Sequence, residues 1–205
     1  MSLHVKDLRH AYGKRQVLRG VTFDVPEGVL AGVVGENGAG KTTLLRILSG
    51  ELTPTGGTTT HTGTLGYCPQ QAVLNDAFTV DQHLRYFQVA HKLPDLRLAE
   101  QLLDTLNFAQ YRHERVSTLS GGTQQKLNLT IALMHDPGLL LLDEPYQGFD
   151  WDTYLRFWDL AQGLRRRGRS VLVISHLAHD ADRLDVLHRL ESGVLEPDTH
   201  TSRGH

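Results

Sequence analysis

The chain has 205 residues, a formal net charge of −2 and a single cysteine. This length suits one domain with a substantial hydrophobic core, and the near-neutral charge gives no sign of whole-chain binding to nucleic acid or to an anionic membrane. No apolar run approaches the roughly 20 residues of a spanning helix, and the N-terminus lacks the apolar core of a signal peptide. We therefore expect a soluble protein of a reducing compartment, in which Cys68 forms no intramolecular disulfide.

Two clusters of titratable residues suggest ligands but have structural interpretations. The basic run Arg165-Arg166-Arg167, with Arg169, falls near a predicted helix end, where positive charge complements the helix dipole. The twelve histidines are scattered, and His176 with His179 is the closest notable pair. No cysteine or glutamate cluster completes a structural metal site around them.

The N-terminal segment predicts an antiparallel edge. Leu3 to Tyr12 and Gln16 to Val25 are typical of two strands joined by a turn at Gly13-Lys14. The side chain of Tyr12 can stack on a nucleotide base or can be an ordinary aromatic at a strand end. The sequence leaves both interpretations open.

The next segment, Gly35-Glu36-Asn37-Gly38-Ala39-Gly40-Lys41-Thr42-Thr43, fits the P-loop pattern of glycine, four residues and Gly-Lys-Thr. A short apolar strand precedes it, and apolar residues at helical spacing follow it as far as Gly50. The glycines allow backbone N–H groups to surround phosphate oxygens at a helix N-terminus. Lys41 can reach the terminal phosphates, and the Thr42 hydroxyl can ligate Mg²⁺. We predict that a nucleoside triphosphate binds here.

The middle of the chain predicts a helical insertion. Residues 53–57 are typical of a loop, followed by a threonine-rich segment and a short strand at 64–68 that Pro69-Gln70-Gln71 ends. From Thr79 to about Asn107 the apolar spacing is helical, interrupted at Pro94. This region shows no strand pattern.

The second half alternates helices with buried strands. Leu119-Ser120-Gly121-Gly122-Thr123 opens a helix with one predicted apolar face, formed by Leu127, Thr130, Ile131 and Met134. The apolar strand 139–142 ends in Asp143-Glu144-Pro145, and the strand 170–174 ends in Ser175-His176. The helix between these strands is predicted to turn four apolar side chains inward, namely Trp151, Leu155, Trp158 and Leu164.

Polar residues follow three of the predicted parallel strands, where α/β sheets bind ligands. Asp143 has the Walker B form, a carboxylate that holds Mg²⁺ directly or through water. Glu144 points differently along the strand and can address an attacking water. His176, at the end of a third strand, can contact the γ-phosphate or orient that water.

Small residues at a second helix N-terminus suit an anion as well. The Ser120 hydroxyl and the N–H groups of Gly121 and Gly122 suit phosphate oxygens, although the P-loop already supplies such a cradle. Either this segment is an N-cap with flexible glycines, or it binds the phosphate of a nucleotide held by a second molecule. Spacing alone leaves the choice open.

Taken together and in this order, the motifs resemble the ATP-binding subunit of an ABC transporter, and the resemblance runs from about Leu3 to Glu196. The motifs that carry it are the P-loop at 35–43, Gly66-Tyr67-Cys68-Pro69-Gln70, Leu119-Ser120-Gly121-Gly122, Leu142-Asp143-Glu144-Pro145, Gly148-Phe149-Asp150 and Ser175-His176. The resemblance implies an α/β fold: a P-loop NTPase three-layer core with an antiparallel β edge and a helical subdomain. This subdomain bears the family's signature motif, here Leu119-Ser120-Gly121-Gly122. The expected single domain has its core at 1–75 and 131–196, the helical subdomain at about 76–130 and a loose tail at 197–205.

The resemblance also implies roles for residues around ATP. Tyr12 would stack on adenine, and Lys41 would hold the β- and γ-phosphates, with the other residues of the P-loop around them. Glu144 would be the general base for water, and His176 would contact the γ-phosphate. Three residues would surround Mg²⁺: Thr42, Gln70 and Asp143.

Other implied roles concern partners. Ser120, Gly121 and Gly122 would close over ATP bound to the second protomer of a head-to-tail dimer, a homodimer or a pair of paralogues. Asp150 would lie along the dimer seam, and Gln70 would link the site to an ABC-type transmembrane permease subunit. The chain would then lie at the cytoplasmic face of the membrane as a peripheral subunit.

Several functions remain open within this family. The chain resembles export subunits more than importer subunits, and soluble ABC-type ATPases of translation or DNA maintenance are the alternatives. A non-catalytic binding module is disfavoured by the presence of Glu144 and His176. Two positions depart from the common pattern, Thr123 where glutamine is usual and Phe149 where leucine is common. Both changes spare the phosphate-contacting groups, and Phe149 affects only details of the dimer seam.

Overall fold

The computed structural model describes residues 2–71, 73–175 and 178–197. Its strands are β1 Leu3–Tyr12, β2 Arg15–Val25, β3 Leu30–Val34, β4 Gly56–His61, β5 Leu65–Cys68, β6 Leu139–Asp143, β7 Ser170–Ser175, β8 Val186–Glu191 and β9 Val194–Pro197. Its α-helices are α1 Lys41–Leu48, α2 Val80–Ala90, α3 Arg97–Thr105, α4 Gly121–Leu133 and α5 Trp151–Arg166. Short 3₁₀ turns lie at Ala109–Tyr111, Val116–Thr118 and Ala178–Arg183.

The central sheet has the strand order β5-β6-β7-β3-β8-β9. The first five strands in this order, including β3, run parallel, and β9 pairs with β8 in the antiparallel direction. Every residue of β3, β6 and β7 is buried, as expected for continuous apolar strands covered on both faces. The parallel pairing brings the carboxyl ends of β3, β7 and β6 to one edge, which confirms the predicted meeting of three strand ends.

The two faces of this sheet belong to different parts of the core. Leu140 and Leu142 pack with residues of α4 and α5, whereas Leu139 and Leu141 pack with α1 and with strands β1 and β2. Because successive side chains of β6 point to opposite faces of the sheet, this strand contributes to two hydrophobic layers. The predicted three-layer α/β fold is confirmed.

A second, antiparallel sheet has the order β2-β1-β4. Strands β1 and β2 were predicted, but the assignment of residues 53–57 to a loop is wrong at its end. Strand β4 begins at Gly56 and takes the threonine-rich segment along β1. Most of its side chains are exposed, so it lacks an alternating apolar pattern, and its pairing partner is distant in sequence.

The helical part departs from prediction mainly at α4. Helices α2 and α3 lie on either side of Pro94 as predicted, and α2 starts with a capping box between Thr79 and Gln82. One apolar face was predicted for α4, but consecutive residues from Gln125 to Thr130 are all buried. The reason is that α4 packs against α2, α3 and β5 at once, so most of its circumference is covered.

Trp151 was predicted to face inward, and this prediction is wrong. Trp158 and Leu164 are buried, but Trp151 is 71% exposed and stacks on Tyr154 at a ring-centroid distance of 5.2 Å. It is the first residue of α5, where helical spacing does not ensure a neighbouring layer. Phe157, which the predicted set omitted, fills the core instead.

The carboxyl-terminal part adds strands that the sequence did not suggest. Strands β8 and β9 extend the central sheet beyond β3, and the predicted tail overlaps β9 only at residue 197; its remainder lies outside the described residues. At the end of α5, Arg165 pairs with Asp185 at 2.6 Å, and Arg169 pairs with Asp136. Across the described ranges, no helix combines the length and apolar character needed to cross a bilayer.

Candidate nucleotide-binding site

The loop between β3 and α1 requires glycine for two different reasons. Gly38 and Gly40 have φ angles of +83° and +109°, a region that side chains rarely occupy. At Gly35 the constraint is packing, because a Cβ there would lie 2.2 Å from the carbonyl oxygen of Leu190. Gly40 is the N-cap of α1, so the loop delivers its backbone directly to a helix N-terminus.

The ammonium group of Lys41 is held by backbone carbonyl groups of this loop. Its Nζ donates to the carbonyl oxygens of Gly35 at 2.6 Å and Glu36 at 3.0 Å, and the residue is 7% exposed. Burial lowers the pKa of Lys41, while the nearby carboxylates of Glu144 and Asp143 act in the opposite direction. An ammonium in this position can exchange carbonyl acceptors for phosphate oxygens, which are stronger acceptors because they are charged.

Asp143, at the end of β6, offers an oxygen suited to a cation. It is 2% exposed, and burial raises its pKa to about 6; Glu144 adds to this shift, whereas a hydrogen bond with Thr42 and the charge of Lys41 oppose it. Its buried Oδ2 has no hydrogen-bond partner among the described residues. A desolvated carboxylate oxygen beside a threonine hydroxyl is the kind of hard ligand that Mg²⁺ takes. The residues present therefore fit a magnesium ion.

Glu144 has a strained backbone and a tethered carboxylate. Its φ angle is +48°, a left-handed conformation that costs a non-glycine residue about 1–2 kcal/mol. Its N–H donates to the Ile174 carbonyl of β7 at 2.9 Å. The Gln70 amide donates to its carboxylate at 3.1 Å, so the segment after β5 contacts the end of β6.

These groups meet at a cleft of about 440 Å³. It is lined by Tyr12, Arg15, Val17, Asn37, Gly38, Gly40, Lys41, Thr42, Thr43, Gln70 and Glu144. Tyr12 is about half exposed, and its ring meets the buried ring of His10 edge-on. A cleft that combines an aromatic face, a P-loop and convergent polar groups can hold a nucleotide from base to terminal phosphate.

Sequence reasoning missed two residues of this cleft. Arg15 and Val17 belong to β2, which comes to the P-loop from a separate sheet; the Val17 carbonyl lies near the position of a Cβ on Gly40. A basic residue three positions after Tyr12 was the available signal. Two predicted P-loop residues, Gly35 and Ala39, lie outside the lining, as does the predicted metal ligand Asp143. Ala39 faces a neighbouring recess with Leu190 and Ser192.

The signature residues lie on a part of the surface outside this cleft. Ser120 caps α4 by accepting the Thr123 N–H at 3.2 Å, and Gly121 and Gly122 line a separate groove of about 340 Å³ with Gln147 and Gly148. Within one chain these residues are not part of the P-loop cleft, although Gln70 borders both.

Asp150 also lies outside the cleft. It caps α5 by accepting the Thr153 N–H at 2.8 Å, and Lys126 of α4 lies 3.9 Å from its carboxylate. The predicted contribution of His176 falls outside the described residues.

Comparison with known proteins agrees with this geometry. Residues 18–147 match the sequence profile of the family described as ABC transporter. The chain belongs to the ABC transporter family. A solved structure described as the ATP-binding subunit of an ABC transporter superposes on this chain with a TM-score of 0.89 and 26% identity, covering 96% of this chain and 90% of that one. A nucleotide-free ATP-binding cassette from an ABC transporter, 20% identical with a TM-score of 0.80, shares the fold.

Among curated relatives, the chain is 33% identical to the Nod factor export ATP-binding protein I of Rhizobium meliloti. This match covers 94% of the chain but only 62% of the relative, so the chain spans less than two thirds of that protein's length. The region that matches the family profile, residues 18–147, includes both the P-loop and the Walker B strand.

Proposed function

We propose that this chain hydrolyses ATP as part of a head-to-tail dimer and thereby powers export through a separate membrane subunit. The observation that carries the proposal is the single cleft that gathers Lys41, Thr42, Gln70 and Glu144, with Asp143 directly behind Thr42. In it Lys41 binds the terminal phosphates and Tyr12 stacks on the base. Thr42, Gln70 and Asp143 hold Mg²⁺, which neutralises phosphate charge when bound.

Glu144 acts as the base that takes a proton from the attacking water. Its carboxylate lines the cleft, and Gln70 holds one of its oxygens. His176 completes the γ-phosphate contacts. In this arrangement Lys41 and the P-loop N–H groups stabilise the phosphate charge while Glu144 directs the water.

The dimer is supported by the separation of the two phosphate-binding segments. The signature glycines of one chain lie outside its own cleft, so a second copy has to supply Ser120, Gly121 and Gly122 to the nucleotide. Asp150, exposed at the start of α5, borders the same seam. ATP then favours the closed dimer because its contacts to the second chain exist only there.

A permease subunit is supported by an apolar groove formed by residues 73–78 and by helix α2. Among the described residues it is lined by Val73, Leu74, Asn75, Phe78, His83, Tyr86 and Phe87. Val73 is 93% exposed, and Tyr86 is also exposed. This surface suits a short segment of a membrane subunit, and such docking would place the chain peripherally at the cytoplasmic face. The export direction is supported by the similarity to a Nod factor export protein.

The test of hydrolysis is Glu144→Gln. The variant should bind ATP-Mg²⁺ with near-normal affinity, lose turnover by at least about a hundredfold and elute as a dimer with ATP. Lys41→Ala is the contrasting variant and should lose nucleotide affinity itself. Normal turnover by Glu144→Gln would disprove the assignment of the base.

The partner is tested separately by affinity purification from detergent-solubilised membranes. Tyr86→Ala should lose the co-purified membrane protein, while Tyr111→Ala, an exposed tyrosine outside the groove, should retain it. Recovery of ribosomes or DNA in place of a membrane protein would favour the soluble ABC-type ATPases instead.

A further inference from the structure

One polar network close to the catalytic loop has no role in the mechanism above. It joins Tyr146, two residues after Glu144, to Ser175 at the end of β7 and to Asp180 in the following turn. Tyr154 of α5 reaches the same Asp180 carboxylate from the other side. Asp180 is 5% exposed, so two tyrosine hydroxyls compensate a nearly buried charge.

The hydroxyl of Tyr146 makes two contacts but has one hydrogen. It donates this hydrogen to the Asp180 carboxylate, the stronger acceptor because it is charged, and to Ser175 Oγ at 3.0 Å, so the two acceptors share it. Burial, together with the donation to Asp180, raises the pKa of Tyr146, so this hydroxyl stays protonated. The network is therefore a fixed connection at neutral pH.

The ring of Tyr146 is held independently of its hydroxyl. It packs edge-on against Tyr154 and Phe157, with ring centroids 5.4 and 5.5 Å away, and beside Trp158 at 6.1 Å. Loss of the hydroxyl alone would leave these contacts in place. The hydroxyl thus has a separable effect.

Hydrogen bonds to β7 hold the chain both at the strained residue Glu144 and two residues after it. On one side, the Glu144 N–H is bonded to Ile174 of β7; on the other, Tyr146 is bonded to Ser175, the next residue of the same strand. A non-glycine residue at positive φ persists only where its surroundings hold it. Two successive residues of β7 therefore hold the loop on both sides of Glu144.

We infer that Tyr146 is a positioning residue, whose hydroxyl fixes the Glu144 backbone against β7 and so keeps the carboxylate aimed into the cleft. This inference rests on the proposed ATPase function. It predicts a loss in turnover that leaves nucleotide binding intact, because Tyr146 is not part of the cleft lining. A role limited to stability would instead change the melting temperature without separating turnover from binding.

The test compares Tyr146→Phe with Tyr154→Phe, which removes the other hydroxyl bound to Asp180 but no bond to β7. We expect Tyr146→Phe to lower kcat about tenfold, with the KM for ATP-Mg²⁺ within about twofold of wild type. Tyr154→Phe should keep kcat within about twofold, and both variants should have similar melting temperatures. Equal losses in the two variants, or an unchanged kcat in Tyr146→Phe, would overturn the inference.

Ser175→Ala removes the opposite end of the same bond and completes a double-mutant cycle. The double variant Tyr146→Phe/Ser175→Ala should be no slower than the slower single variant; losses that multiply would contradict a shared role. If Tyr146→Phe fails to fold, Ser175→Ala carries the test by its own loss of kcat at unchanged KM. A wild-type chain without ATPase activity would overturn the proposed function together with this inference, whereas active wild type with an active Tyr146→Phe overturns the inference alone.

Discussion

Gly122 packs against the backbone of Gly148 so closely that a Cβ on Gly122 would lie 2.2 Å from the Gly148 carbonyl oxygen. Gly122 is the second residue of α4, the helix that follows Ser120, and Gly148 precedes Asp150 in the loop before α5. Lys126 reinforces this junction, since its Nζ lies 5.9 Å from the centre of the Phe149 ring and 3.9 Å from Asp150. The two segments expected at the dimer seam are therefore in contact within one chain.

Because Gly122 makes this close contact and Gly121 meets open space, alanine substitutions at the two glycines should differ in their effect on stability. Gly122→Ala should lower the free energy of unfolding by more than about 2 kcal/mol, because the clash is with backbone that cannot rotate away. Gly121→Ala meets open space and lies in a helix, so its unfolding free energy should stay within about 1 kcal/mol of wild type. Urea denaturation measures both, and equal costs would contradict the packing argument.

The same pair of variants tests function. If Gly121 contacts ATP on the second protomer, Gly121→Ala should lose ATPase activity while remaining as stable as wild type. If each variant loses ATPase activity only to the extent that it loses stability, the signature glycines act only in packing.

Asp143 should make the metal-free protein less stable as pH rises. Its pKa is raised from the ordinary value of 3.8 to about 6, so between these pH values the native state binds the proton more tightly than the unfolded chain. Stability from this group is full below pH about 4 and is lost as pH rises through about 6. Asp143→Asn should therefore be more stable than wild type at pH 7.5 in EDTA, by about 2–3 kcal/mol.

The control for this prediction is the pH series itself. The advantage of Asp143→Asn should disappear below pH about 4, where both side chains are neutral. Added Mg²⁺ with ATP should stabilise the wild type and have less effect on the variant. A constant difference across the pH range would mean that burial of the charge is not the cause.

Trp151 offers a spectroscopic probe of the proposed dimer. The chain has two tryptophans, so Trp158→Phe leaves emission from Trp151, which is 71% exposed. In that background with Glu144→Gln, ATP-Mg²⁺ should reduce quenching of Trp151 by acrylamide, since Trp151 directly follows Asp150 at the proposed seam. A sample that is dimeric by chromatography but shows unchanged quenching would remove Trp151 from the seam.

The lone cysteine should be chemically inert in the folded protein. Cys68 is fully buried at the end of β5, and burial, with a smaller contribution from Asp143, raises the pKa of its thiol. The thiolate is the reactive form, so a disulfide reagent at pH 8 should label native protein far more slowly than protein in guanidinium. Rapid labelling of native protein would show that β5 opens locally.

Local patterns predicted the parts of this molecule that depend on local geometry. The P-loop turn needs glycine at Gly38 and Gly40, and the cap of α4 needs an oxygen at Ser120, so the residue types themselves identify these features. The buried strands β6 and β7 were equally clear because each is a continuous apolar run. From these strands, the meeting of Asp143 with the P-loop followed from parallel topology.

The parts that escaped prediction depend on contacts distant in sequence. Strand β4 exists because β1 offers it hydrogen bonds, Arg15 enters the cleft from another sheet, and Trp151 lies on the exposed side of the first turn of α5. The connection of Tyr146 to Asp180 likewise joins separate elements. No local pattern of residues contains this information.

The positive φ of Glu144 has a consequence for engineering. Glycine or asparagine would adopt this backbone conformation at lower energetic cost than glutamate. A selection for thermal stability alone should therefore enrich Glu144→Gly or Glu144→Asn, and it should recover heat-resistant proteins that no longer turn over ATP. Under the proposed mechanism, stability and activity favour different residues at this position.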